Sequence, residues 1–233
     1  MPATLTTIRY AVLALALAAG SAAAQNLAPD FTGLPKGAKV AMMPSDVELF
    51  SLSAGGVPEP KADWTEAAIR NLKTALHARK AALGVDIADM SVEDGDALAE
   101  INTLHAAVAN AISLHQFSGA VWNLPTKDKK LDWKLGEAVA AIKQRTGADY
   151  ALFSYVRDSY ASAERKAAMV ALALVGVGLH GGAQVGYASL VDLNTGRVLW
   201  FNKILRATGD MRDEDGARET LNSLLDHFPA KAP

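Results

Sequence analysis

The chain contains no cysteine. That removes disulfides, thiolate zinc sites and cysteine nucleophiles together, and with them the acylated cysteine of a bacterial lipoprotein. Aromatic residues are scarce, at 6%, so the core has to be built largely from aliphatic side chains and alanine. No basic stripe is present. Lys and Arg number 23 against 25 Asp and Glu, a net charge of −2, and the densest basic cluster, KDKK at 127–130, reads as a solvated loop. Nucleic acid is therefore not expected as a partner. G-x-S-x-G and H-E-x-x-H are missing, and no two of the five histidines stand at i, i+4. No metal, no cofactor and no catalytic residue is expected.

What is present begins with the first 25 residues, MPATLTTIRYAVLALALAAGSAAAQ. One basic residue, Arg9, precedes an apolar run over 10–19, and Ala22-Ala23-Ala24 stand before Gln25. This is the pattern of a secretory signal peptide; the apolar run is shorter than the ~20 residues that span a bilayer. Residues 1–24 are read as the leader, which places the mature chain in the periplasm or outside the cell and, without cysteine, not among lipoproteins.

Residues 25–37 are Pro- and Gly-rich and read as an extended segment. Residues 38–233 read as one α/β domain with no convincing internal boundary. KVAMMP predicts a first buried strand, stopped by Pro44. A short strand at 47–52 leads into a long loop, so that 45–62 is a candidate contact region. The next helix opens with Asp63 and Glu66 in capping-box spacing, turns Ile69, Leu72, Leu76 and Leu83 inward, and closes at Gly84. VDIADM predicts a strand, and Ser91 caps a helix burying Leu98, Ile101, Leu104, Val108 and Ile112. A third helix is expected from Asp132 to Gly147, with Leu135, Val139 and Ile142 inward.

ADYALFSYVRDSY alternates like a strand. GYASLVDLNTGRVLWFNKIL is two strands about an Asn194-Thr195-Gly196 turn, and an amphipathic helix ends the chain. The fold class expected is α/β (α+β): a single mixed sheet with helices packed on it, and a C-terminal hairpin followed by a helix.

Between the strand and the hairpin lies an apolar, Gly-rich insertion at 165–186. Gly176, Gly178 and Gly181 spell G-x-G-x-x-G. A dinucleotide loop needs the last glycine in the opening turn of a helix and an acidic residue about 20 positions on. Here strand-like sequence follows, and the nearest acid, Asp192, comes too soon. Two readings stay open: a short apolar element packed on the domain, or an exposed element at 167–179 that meets a partner subunit or the membrane.

The candidate contact surface combines Met169, Val170, Leu172 and Leu174 with the polar cluster Arg157, Asp158, Tyr160 and Arg165 at the strand end. Around Gly216, a calcium-loop reading fails because its first and twelfth positions are Met211 and Asn222. His105 flanks the apolar face of its helix and reads as a satisfied, partly buried histidine.

GADYALFSYV, followed by GYASLVDLNTGRVLWFNK, resembles the closing strands of periplasmic modules related to CsgG and to the amino-terminal domain of TolB, and KVAMMP with its helix fits the same start. The resemblance covers about half of residues 25–233. It implies a small envelope α/β module that works through protein contacts, without catalysis and with no catalytic residues to carry over. CsgG-like proteins form ring-shaped, lipid-anchored export channels, whereas this chain lacks the anchoring cysteine. The function expected is therefore a non-enzymatic envelope protein, with a protein partner or a homo-oligomer. The alternatives are a periplasmic hydrolase with an unidentified carboxylate site, or a membrane-contacting pore or assembly subunit.

Overall fold

The computed structural model describes residues 26–88 and 90–230, with the backbone alone at position 92; the leader read at 1–24 lies outside the described residues. The organising element is a twelve-residue strand, β5 (Tyr150–Ala161). Along one of its edges, β1 (Lys39–Met42) and β2 (Asp46–Leu52) lie end to end, both parallel to it. Val40 stands opposite Tyr150 and Asp46 opposite Tyr155, so the register slips by one residue across Met43-Pro44-Ser45. Proline has no N–H for the ladder, which makes it tolerable at such an interruption.

Along the other edge of β5 runs β6 (Gln184–Asp192), antiparallel, followed by β7 (Val198–Arg206). The short strands β3 (Pro58–Pro60) and β4 (Asp86–Ala88) extend the outer edges of β2 and β1. The sheet has seven strands, and it is single and mixed, with a C-terminal hairpin followed by a helix, as the sequence predicts.

Strand alternation divides the core in two. Leu152 and Val156 of β5 face α1 (Ala62–Arg79) and α6 (Glu214–Leu224), whose Ala68, Leu72, Leu221 and Leu224 pack on Leu49, Leu190, Trp200 and Ile204. Ala151 and Phe153 face the opposite layer of α2 (Val92–Ala97), α3 (Ala99–Phe117) and α4 (Ala140–Thr146). There Leu98, Ile101, Ile112 and Ile142 cover Tyr187, Val191 and Phe201. The remaining helix, α5 (Ala163–Ala173), contributes to neither cluster.

Four local expectations are corrected. The segment 45–62 is mostly a β2–β3 hairpin, leaving only 53–57 as a turn. Helix α1 has Lys61, not Asp63, at its N-cap and no side-chain cap. Its start is held to β2 instead: the Lys61 N–H donates to the Leu49 carbonyl, and the Thr65 hydroxyl accepts from the Leu49 N–H. Its buried stripe is rotated toward Ala68, Leu72 and Ala75, leaving Ile69 exposed, because small residues let α1 approach α6. The helix expected from Asp132 starts only at Ala140. Residues 133–135 are drawn into extended pairing by Val198 N–H to the Trp133 carbonyl and Leu135 N–H to the Gly196 carbonyl, although Leu135, Val139 and Ile142 are buried as expected.

His105 is more deeply enclosed than its sequence position suggests. It stacks on Phe153 at 4.1 Å between ring centres, and its Nε2 is bonded to the Ser189 hydroxyl. Burial pushes its pKa down to about 3. The folded state thus holds a neutral imidazole where the unfolded chain binds a proton below pH ~6.5, so stability is present above that pH and lost as pH falls toward 3. In that window His105 contributes a loss of about 1.4 kcal/mol per pH unit. Replacing both members of the bonded pair, in His105→Phe with Ser189→Ala, removes that slope. Chemical unfolding at a series of pH values between 6.5 and 4 measures it.

Candidate contact surface

Toward the end of β5, alternation sends the polar residues to opposite faces. Arg157 points to the face bearing α3. It lies over the Tyr155 ring (4.2 Å) and pairs with Asp46 (2.8 Å) and Glu48 (3.3 Å) of β2. Tyr155 in turn stacks on Tyr187 at 4.5 Å. Arg157 is therefore part of a half-exposed polar strip across β2 and β5.

Asp158 and Tyr160 point the other way, toward α6. Asp158 is buried. Its Oδ2 accepts from the Tyr160 hydroxyl (2.6 Å) and from Gln184 Nε2 (2.5 Å). The Met211 N–H donates to the Tyr160 oxygen (2.8 Å), and Arg206 Nε donates to Gln184 Oε1 (2.6 Å). The network ties β5, β6, β7 and the loop before α6 together. Burial raises the Asp158 pKa against the lowering effect of its two donors, and among the described residues no cation pairs with the carboxylate. Asp158 is thus bonded within the fold rather than offered to a partner. The same holds for Arg165, whose Nε donates to the His180 carbonyl (2.9 Å) and whose NH1 reaches the carbonyl of Ser53 (3.3 Å). Arg165 staples α5 to the 53–57 turn and to the chain that returns into β6, a role its neighbours in sequence do not reveal.

With that staple made, α5 leaves Val170 and the residues at its C-terminal end exposed. Ser162 caps its N-terminus by accepting from the Arg165 N–H. At the far end the Gly176 N–H donates to the Ala173 carbonyl and the Val177 N–H to the Leu172 carbonyl. This is a Schellman ending with Gly176 (φ 81°) in the left-handed position. The first glycine of the G-x-G-x-x-G stretch therefore closes a helix, where a phosphate loop has to open one. Farther on, Gly182 lies so close to β5 that a Cβ there would stand 1.8 Å from the Ser159 carbonyl oxygen. Close backbone approach explains that glycine.

The sequence-selected apolar residues divide accordingly. Met169 lies against Gly181 and is half-buried, as is Leu172. Val170 is 67% and Leu174 85% exposed, joined by Val175 at 72% and by exposed Val177. Monomeric proteins rarely leave large apolar side chains clustered in this way. The signal for the last two was present in the sequence as an apolar run without a polar face, a pattern that marks apolar surface without saying which side is covered. Among the described residues, no helix is long and apolar enough to cross a membrane, and no group of three or more His, Asp and Glu could hold a metal ion.

No family model matches the sequence, and neither does any curated protein. Solved structures do. A PelC dodecamer from Paraburkholderia phytofirmans is 15% identical, matched over 87% of this chain and 94% of that one with a TM-score of 0.39. The LpoB C-terminal domain from Salmonella enterica is 15% identical over 77% and 87%, TM-score 0.29. Lipoprotein GNA1162 from Neisseria meningitidis is 16% identical over 72% and 81%, TM-score 0.28.

Two outcomes follow from the geometry of the strand end. Asp158 has a folded pKa above its unfolded value, so its favourable contribution is present at low pH and is lost as pH rises through the folded pKa. Asp158→Asn keeps an acceptor for both donors and no buried charge, so its thermal midpoint relative to the parent chain rises between pH 4 and pH 7. Arg165→Met leaves the His180 and Ser53 carbonyls without their donor and lowers stability by about 1–3 kcal/mol. Amide exchange then speeds up first in 53–57 and 174–183, ahead of β5.

Proposed function

We propose that this chain is a non-enzymatic protein of the cell envelope, exported by the leader at 1–24, that works through protein–protein contacts, self-assembly included. The observation that carries this reading is the apolar tip formed by Val170, Leu174, Val175 and Val177, held out from the core by the Arg165 staple. An ordered helix normally owes its stability to burying its apolar side. Here the caps and the staple fix the helix while Val170 and Leu174 stay exposed, which supports a surface completed by another protein.

The hydrolase alternative draws less support. Asp158, the carboxylate with the most perturbed surroundings at the strand end, has both of its donors inside the fold. A general acid or base has to reach substrate. Residues 38–233 act, in this proposal, as one domain, with 165–186 as the insertion that carries the contact.

The test is the mass in solution of the purified chain beside a variant carrying Leu174→Asp and Val175→Asp, each with and without a mild detergent. The expected result is a multimeric parent chain and a monomeric variant with an unchanged melting temperature. Multimers that persist in the variant move the interface away from the tip. Detergent uptake by a monomeric parent chain, lost in the variant, favours the membrane-contact alternative instead.

A further inference from the structure

A second feature lies at the other edge of the sheet. Residues 27–31 run along the outer edge of β7, with the Ala28 N–H donating to the Leu199 carbonyl (2.8 Å) and the Phe201 N–H to the Asn26 carbonyl (3.0 Å). Between this segment and the end of α3 opens a cleft of about 970 Å³, the size of a small-molecule site. Leu27, Phe31, Phe117 and Ala120 give it apolar walls, and Lys129 and Lys130 stand at its edge.

The backbone beneath those lysines is unusual. Asp128 (φ 48°) and Lys129 (φ 56°) are consecutive non-glycine residues in the left-handed region, a conformation that costs energy and is held where the surroundings require it. Lys130 pairs with Asp128 at 3.1 Å, while among the described residues Lys129 has no ion-pair partner. Lys129 and Lys130 outnumber Asp30, the one acid on the lining. Beside it Val121 is 93% and Trp122 53% exposed.

We propose that this cleft binds a single-chain amphiphile with a carboxylate head. Its tail lies against Leu27, Phe31 and Phe117, and its head meets the ammonium group of Lys129, beside the Lys130–Asp128 pair. Apolar walls select the chain, and the Lys129 ammonium selects the sign of the head. The occupant is a free molecule, because the apolar surface is the wall of a cleft between two segments and not one flat face. Each methylene added to the tail, up to the length of the cleft, tightens binding about fourfold. This proposal is independent of the contact surface on α5: no residue lining the cleft belongs to α5 or to 174–183.

The experiment is a calorimetric titration of the purified chain with dodecanoate below its micelle concentration, followed in parallel by tryptophan emission. Decanoate, dodecyltrimethylammonium, dodecyl maltoside and vesicles containing an anionic phospholipid serve as comparators. The expected result is saturable one-to-one binding of dodecanoate, weaker binding of decanoate, and binding of the cationic and neutral amphiphiles at least tenfold weaker. The double variant Lys129→Glu, Lys130→Glu loses at least tenfold in affinity. Ala120→Trp, which fills the cleft from an exposed turn, abolishes binding; unchanged melting temperatures show that both variants fold. Absence of saturable binding, equal binding of the cationic amphiphile, binding to vesicles alone, or full affinity in both variants overturns the proposal.

Discussion

Everything in this fold hangs on the pairing of β5 along both of its edges. A strand of twelve residues exposes twice as many ladder groups as a short one, and each left unpaired in the interior is costly. On one side β1 and β2 share the task in sequence, separated by the one-residue slip at Pro44; on the other β6 meets Tyr150 to Asp158 without interruption. The paired faces of β5 then provide the platform on which both helical layers close. Side chains at its start, Ala151 to Phe153, pack into both clusters, whereas near its end Tyr160 packs against one of them, beside Trp64 of α1. That asymmetry along a single strand separates the packed half of the molecule from its tip.

At the tip, polar groups replace apolar packing as the means of holding position. Asp158, Tyr160, Gln184 and Arg206 form a connected chain of donors and acceptors, and Arg165 does the same for α5 by taking backbone carbonyls from two neighbouring segments. A helix of eleven residues is marginal alone. Here Ser162 satisfies one end and the Gly176 turn the other, so its order does not depend on burying Val170 or Leu174. Order without burial is what leaves that side open.

The sequence was legible wherever a pattern was long and one physical effect decided it. The alternation in ADYALFSYVRDSY, the Asn194-Thr195-Gly196 turn and the apolar spacing of the last helix each resolve to the element predicted. Errors cluster where a tertiary bond overruled a local signal. Asp63 and Glu66 have the spacing of a cap, yet the Leu49 backbone holds the helix start; Asp132 precedes helix-like spacing, yet the turn at Gly196 draws Trp133 and Leu135 into extended pairing. The candidate surface shows the same division. Leu174 was marked by hydropathy alone, whereas the inward turn of Asp158 and Arg165 depended on Gln184 and on the carbonyls of Ser53 and His180, residues far away in the chain.

The cleft beside β7 illustrates why a charge cluster is ambiguous without its neighbours. KDKK is a solvated loop by composition, and Lys127 behaves as one would expect of a long side chain near an aromatic ring, with its ammonium 4.8 Å from the centre of Trp133. Lys129 and Lys130 differ only in what the fold places beside them: the end of α3 on one side and the β7-edge segment on the other. Phe31 and Phe117 come from segments far apart in sequence, so their shared cleft is invisible until β7 recruits the N-terminal segment to its open edge. The same hydrogen bonds that cover an otherwise exposed sheet edge therefore also create the apolar wall. In the proposed site, Lys129 over that wall separates ligands by charge as well as by length.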